Sequence, residues 1–112
     1  MPKGYWVAKA NILDNEKLSR YGKQAEVAIE KFGGKFLVRG GQHETKEGID
    51  FSRNVVVEFD SYDTALAAYS SSEYKKALTY YELKEQFRHD CLEREESLND
   101  NLLGKFFKKD LE

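Results

Sequence analysis

Between Gly33 and Phe59 lie two runs of strand-forming residues, Lys35–Arg39 and Asn54–Phe59. A polar segment joins them, and its Gly48 can take the positive φ that a hairpin tip needs. The stretch reads as a β-hairpin against which every other element has to be placed. Gly40 and Gly41 leave the first strand without side chains just after Arg39, which predicts a bulge or a close backbone approach there.

Upstream, Gly4 to Ile12 alternates so that Trp6, Ala8, Ala10 and Ile12 share one face and Tyr5, Val7, Lys9 and Asn11 the other, a strand pattern. Asp14 is a suitable N-cap and Glu16 an acid where a helix dipole favours one. Leu18, Tyr21, Ala25, Ala28, Ile29 and Phe32 recur at spacings of three and four until Gly33 and Gly34 end the helix. After the hairpin, Ser61 caps a second helix with Asp63 in its first turn and Ala65, Leu66 and Tyr69 on its apolar stripe. Ser70, Ser71 and Ser72 predict a break or a re-capped turn, after which the helix resumes through Ala77, Leu78 and Tyr81.

The order β, α, β, β, α gives an α+β, ferredoxin-like antiparallel sheet with both helices on one face. Alternation assigns Trp6, Ala8, Ala10, Phe36, Val38, Val55, Val57 and Phe59 to the covered face. Tyr5, Val7, Lys9, Leu37, Arg39, Asn54, Val56 and Glu58 fall on the other. That second face is too apolar to stay open, and a second copy of the sheet is its simplest cover, so a homodimer through sheet faces is expected.

With 112 residues, 40% of them hydrophobic, the chain is long enough for one packed domain and too apolar for disorder. A net charge of −2 gives no broad field for a nucleic-acid backbone or an anionic membrane, and neither is an expected partner. The absence of a spanning run or an apolar leader, together with the lone Cys91, leads to the expectation of a cytoplasmic protein. Read on a helix, His89 and Cys91 face about 200° apart and form no reactive pair.

KGYWVA at the start, FGGKFLVRGG, the Glu47–Gly48 pair, RNVVVEF and YSSSEY together resemble the family known as domain of unknown function 1330. The resemblance implies the dimeric α/β-barrel superfamily, whose ferredoxin-like domains pair sheet to sheet and include cofactor-independent monooxygenases and small isomerases. It covers residues 1–81. Its usual closing strand is not matched beyond Tyr81, so residues 82–112 are expected to form a charged, helical extension of the same domain. In this reading the second helix reaches about Ser97 and a short helical segment follows around Leu102–Phe107. The competing outcome is that Leu102–Phe107 replaces the missing fourth strand beside Tyr5–Ala10.

Placed together on the non-helical face, Arg39 would clamp a carboxylate or enolate and a partly desolvated Glu58 would serve as general base. These two are the candidate catalytic residues, and Tyr5, Lys9, His43, Arg53 and Asn54 the candidate ligand-binding residues. The same charges also suit a structural ion pair within an interface. With His43 and His89 the only histidines, no metal is expected, and no cofactor. The functional expectation is a small anionic or carbonyl-containing ligand in a pocket on the non-helical face, with cofactor-independent catalysis open. The alternative is a non-catalytic homo-oligomeric assembly or binding module.

Overall fold

The computed structural model describes residues 2–80 and 87–95. Along the chain these form β1 (Gly4–Ala10), α1 (Asn15–Lys31), β2 (Lys35–Arg39), β3 (Arg53–Phe59), α2 (Tyr62–Ser70), α3 (Ser72–Leu78) and β4 (Phe87–Glu93). The four strands make one antiparallel sheet in the order β2-β3-β1-β4, the ferredoxin-like arrangement.

The helix boundaries follow from local chemistry. Asp14 caps α1, its Oδ1 accepting the Glu16 and Lys17 amides at 3.0 and 3.1 Å. At the other end Gly33, at φ +71°, donates to the Glu30 carbonyl, and Gly34 donates to that of Ile29. This is the paired closure that a left-handed residue after a helix allows. A Cβ on Gly34 would lie 2.7 Å from the Ile29 side chain and 2.8 Å from the Phe59 ring, so the turn is also a point of close packing. The serine triplet breaks the next helix as expected: Ser71 ends α2, and its Oγ accepts the Tyr74 amide to start α3.

All three helices pack on one face of the sheet around Trp6, Val57, Phe59 and Tyr74, joined by Ala25, Ala28, Ile29, Ala65, Ala68 and Ala77. Val57, Phe59 and Tyr74 are fully buried, and side chains such as Val57 and Phe59 each contribute about 1.5–3 kcal/mol by leaving water. Helix alanines keep the layers close. Trp6 fits between them because its one donor, Nε1, is paired with the Ala65 carbonyl at 2.8 Å.

Two expectations are corrected. The long second helix does not run to Ser97: α3 ends at Leu78 and Phe87–Glu93 is a strand, paired along its whole length with β1. The fourth strand therefore exists, at the position offered to Leu102–Phe107, and β1 is a central strand rather than an edge. Phe87 and Cys91 sit four apart, as on a helix, yet Phe87, His89 and Cys91 also alternate, and a ladder that satisfies the backbone of β1 decides between the two periods. The expected helical segment at 102–107 lies outside the described residues.

The second correction concerns β2. The bulge lies at Leu37, between Phe36 opposite Val57 and Val38 opposite Val56, and the glycine pair instead shows the other expected outcome, a close approach, where Gly40 meets the Arg53 side chain. Gly40 and Gly41, at φ +70° and +85°, also turn the chain out of the strand. The extra residue reverses the facing of everything after it. Val38 moves to the open face, and Arg39, opposite Val55, moves to the helix face.

Candidate functional site

The register sets side chains in rows across the helix face. One row runs Phe36, Val57, Trp6, Cys91; the next runs Arg39, Val55, Ala8, His89; the third holds Arg53, Ala10 and Phe87. Large residues fill the first row. In the second and third, the central strand carries only alanine, and α1 opposes them with Gly22 and Ala25, so the helix and sheet do not meet. A cavity of about 330 Å³ results between the N-terminal half of α1 and the sheet. Its floor is Trp6, Val55 and Val57, its helix wall Leu18, Tyr21 and Ile29, and its far end Phe87 and His89.

His89 is the unusual member. Its ring lies among Trp6, Tyr69, Tyr74 and Phe87, with centroids 4.7, 4.9, 5.7 and 6.1 Å away. Both imidazole nitrogens are buried without a hydrogen-bond partner among the described residues. Burial lowers its pKa to about 4, with the nearby Asp90 carboxylate opposing that shift, so the ring is neutral at physiological pH. Fully buried Tyr74 pairs its hydroxyl with that of Tyr21 at 2.6 Å, and burial, then the charge of Tyr21, pushes its ionisation far upward. The box thus holds a single orphaned polar group, the imidazole.

Lys23, Arg39 and Arg53 bring charge to the cavity wall, all of it basic, whereas Lys9 borders the cavity from β1 with its side-chain position on the open face. Arg39 lies over the Phe36 ring at 4.2 Å and donates to Glu26 Oε2 at 3.1 Å. Arg53 lies against Gly40, where a Cβ would approach its Nη1 to 2.7 Å.

The residues expected to form one site are therefore divided between faces. Arg39 and Arg53 are at the cavity on the helix face, whereas Glu58, Tyr5, Lys9 and Asn54 occupy open-face positions, Lys9 opposite Asn54. Arg39 and Glu58 do not share a face, because of the bulge at Leu37. Tyr5 donates to Glu58 Oε2 at 3.2 Å; burial first and the Glu58 bond second raise its pKa. His43 stands apart on the loop after β2, its Nε2 3.8 Å from Asp50 Oδ1. The cavity is thus on the opposite face of the sheet from the pocket the sequence suggested. His89 was passed over because a helical reading separates it from Cys91. The alternation of Phe87, His89 and Cys91 against Arg88 and Asp90 is the signal that could have found it.

Among the described residues no group of three or more His, Cys, Asp or Glu side chains could hold a metal ion, and no helix is long and apolar enough to cross a membrane. The family described as Domain of unknown function (DUF1330) matches residues 3–91, which carries the match through most of β4 and past the Tyr81 limit drawn from the sequence. A comparison with curated proteins finds no match. Among solved structures, a protein of unknown function from Rhodopseudomonas palustris is similar with a TM-score of 0.63 at 16% identity, over 85% of this chain and 84% of that one. An ethyl tert-butyl ether d (EthD) family protein from Bacillus halodurans c-125 gives 0.52 at 12%, over 85% and 100%. A dimeric protein of unknown function and ferredoxin-like fold from Bacteroides fragilis NCTC 9343 gives 0.51 at 17%, over 83% and 95%. At these identities the likeness concerns the fold.

Proposed function

We propose, from the premise that this chain belongs to the family described as Domain of unknown function (DUF1330), that it binds a small, largely apolar molecule beneath α1 through a carbonyl or hydroxyl group that bonds to His89. The observation that carries this reading is the orphaned imidazole in the wall of a 330 Å³ cavity. A buried polar group without a partner costs about 1–3 kcal/mol, a cost that a bonded ligand removes. Both nitrogens are buried, so binding requires the imidazole to turn within its aromatic box, a motion for which the soft χ2 torsion of histidine allows. A neutral imidazole can donate to a carbonyl or accept from a hydroxyl, and it can carry a proton between them without a cofactor.

A screen of aromatic ketones, phenols and acids by calorimetry tests the reading. Binding is expected to weaken at least about tenfold in His89→Leu, the loss of one hydrogen bond to a desolvated group. Glu58→Gln on the open face should leave it unchanged. Hits indifferent to His89→Leu and abolished by Glu58→Gln would refute the placement.

The open face supports a second property, pairing of two copies. Val38, Val56 and Val7 line up across β2, β3 and β1, and Leu92 lies opposite Tyr5, with Val38 41% and Leu92 49% exposed. An apolar row of this kind on a sheet face that none of the described elements covers favours association. The dimeric fold relative described above agrees with that reading. Light scattering should give twice the 13.0 kDa chain mass, and a monomer at micromolar concentration would contradict it.

A further inference from the structure

We infer that the ligand of this cavity is an organic carboxylate, its apolar body against Trp6, Val57 and Phe87 and its head group on the guanidinium of Arg53. The inference rests on the cavity being a binding site and adds the charge and the anchor of what it holds.

The first support is the sign of the wall. The charged side chains that reach it, Lys23, Arg39 and Arg53, are all basic, and the one acid paired with any of them, Glu26, already answers Arg39. An apolar hollow ringed by one sign of charge concentrates the opposite sign, since low-dielectric walls focus the field. The second support is that Arg53 has no hydrogen-bond or ion-pair partner among the described residues, although it is half-buried at the start of a central strand. A guanidinium held out of full solvent contact without an anion is poised to receive one.

The third support is how Arg53 is held. Gly40, at φ +70°, has no Cβ, and one would stand 2.7 Å from Arg53 Nη1, so the guanidinium rests on bare backbone at the mouth of the cavity. This gives the Gly40 position a role that the turn alone does not require. The planar fork of a fixed guanidinium matches the two oxygens of a carboxylate. One unpaired guanidinium offsets one negative charge, which favours a monoanionic carboxylate over a phosphate dianion. The rows give the length. Arg53 on β3 and His89 on β4 stand two strand spacings apart and one row apart along the strands, about 12 Å in all. With side chains reaching inward from both ends, a body of one or two fused rings bridges them.

The test compares 6-hydroxynaphthalene-2-carboxylate with 6-hydroxynaphthalene-2-carboxamide, which share a shape and a hydroxyl for His89 and differ in charge at the other end. Binding to the full chain is followed by calorimetry and by the Trp6 indole NMR signal. The carboxylate is expected to bind about tenfold or more tighter than the amide, the margin of a charge-assisted over a neutral hydrogen bond. Arg53→Gln should remove that margin without weakening the amide. Arg53→Lys, which keeps the charge and loses the fork, should restore part of it, and added salt should weaken only the carboxylate. Equal binding of acid and amide would overturn the carboxylate assignment while leaving the cavity a binding site. Tighter binding of 6-hydroxy-2-naphthyl phosphate than of the carboxylate would overturn it in favour of a dianion. Binding of neither naphthalene compound would overturn both this inference and the reading on which it rests.

Discussion

Replacing His89 by leucine should stabilise the unliganded protein, by an amount that depends on pH. At neutral pH the substitution removes two buried nitrogens that lack partners, relieving about 1–3 kcal/mol. It also forfeits the edge-on ring contact with Trp6 at 4.7 Å, worth about 0.5–1.5 kcal/mol. The net gain expected at pH 7 is about 1 kcal/mol. Acid then separates the two proteins further. His89 titrates near 6.5 in the unfolded chain and near 4 in the fold, so between those values the unfolded state binds more protons. Its contribution to wild-type stability is therefore level above pH 6.5 and falls as pH drops toward 4. At about 1.4 kcal/mol per pH unit the full loss is on the order of 3 kcal/mol. Carboxylate titrations are common to both proteins and cancel in the difference. Urea unfolding at half-unit steps from pH 7 to 4 reads the effect as a widening gap between midpoints. Parallel curves, or a variant less stable than wild type by more than about 1 kcal/mol at pH 7, would refute the claim that the imidazole is buried, neutral and unpartnered.

Three further expectations concern the frame around the site. Gly4→Ala would set a Cβ 2.4 Å from the Ser61 carbonyl oxygen and 2.5 Å from Tyr62 Cα, both backbone, so thermal melting should show a loss of about 1–3 kcal/mol or more. Arg39→Ala removes a half-exposed pair with Glu26 and should cost under about 1 kcal/mol in urea unfolding; a larger loss would mean that Arg39 has a partner beyond Glu26 and the Phe36 ring. Tyr74 should stay un-ionised in a spectrophotometric alkaline titration of the folded protein, and Tyr74→Phe should leave that titration unchanged.

Much of the frame was legible because local chemistry and tertiary packing agree. Alternation from Gly4 to Ala10 set the faces of β1, and Asp14, Ser61 and the Gly33–Gly34 pair marked helix ends that the backbone then used. The site was less legible, for two reasons. In Lys35–Arg39 every residue suits a strand, so nothing local announces that Leu37 is the extra one, yet that single residue carries Arg39 to the other side of the sheet. In Phe87–Glu93 the apolar positions satisfy two periods at once, and the choice is made by β1, whose backbone groups need a partner eighty residues away in sequence or thereabouts. Once β4 is a strand, His89 and Cys91 share the helix face, and the imidazole enters the aromatic box that a helical reading denied it. The cavity itself follows from absences of bulk at Ala8, Ala10, Gly22 and Ala25, residues that look like ordinary close-packing positions in one dimension.

The central claim is that small molecules bind beneath α1, at His89, and not on the open face. The most direct measurement is an NMR map of where aromatic ketones and carboxylates perturb the protein, read at the His89 imidazole, the Trp6 indole and the Tyr5 ring. The account predicts saturable shifts at His89 and Trp6, with Tyr5 and the Glu58 side chain unmoved. Saturable shifts centred on Tyr5 and Glu58 with a silent His89 would contradict it.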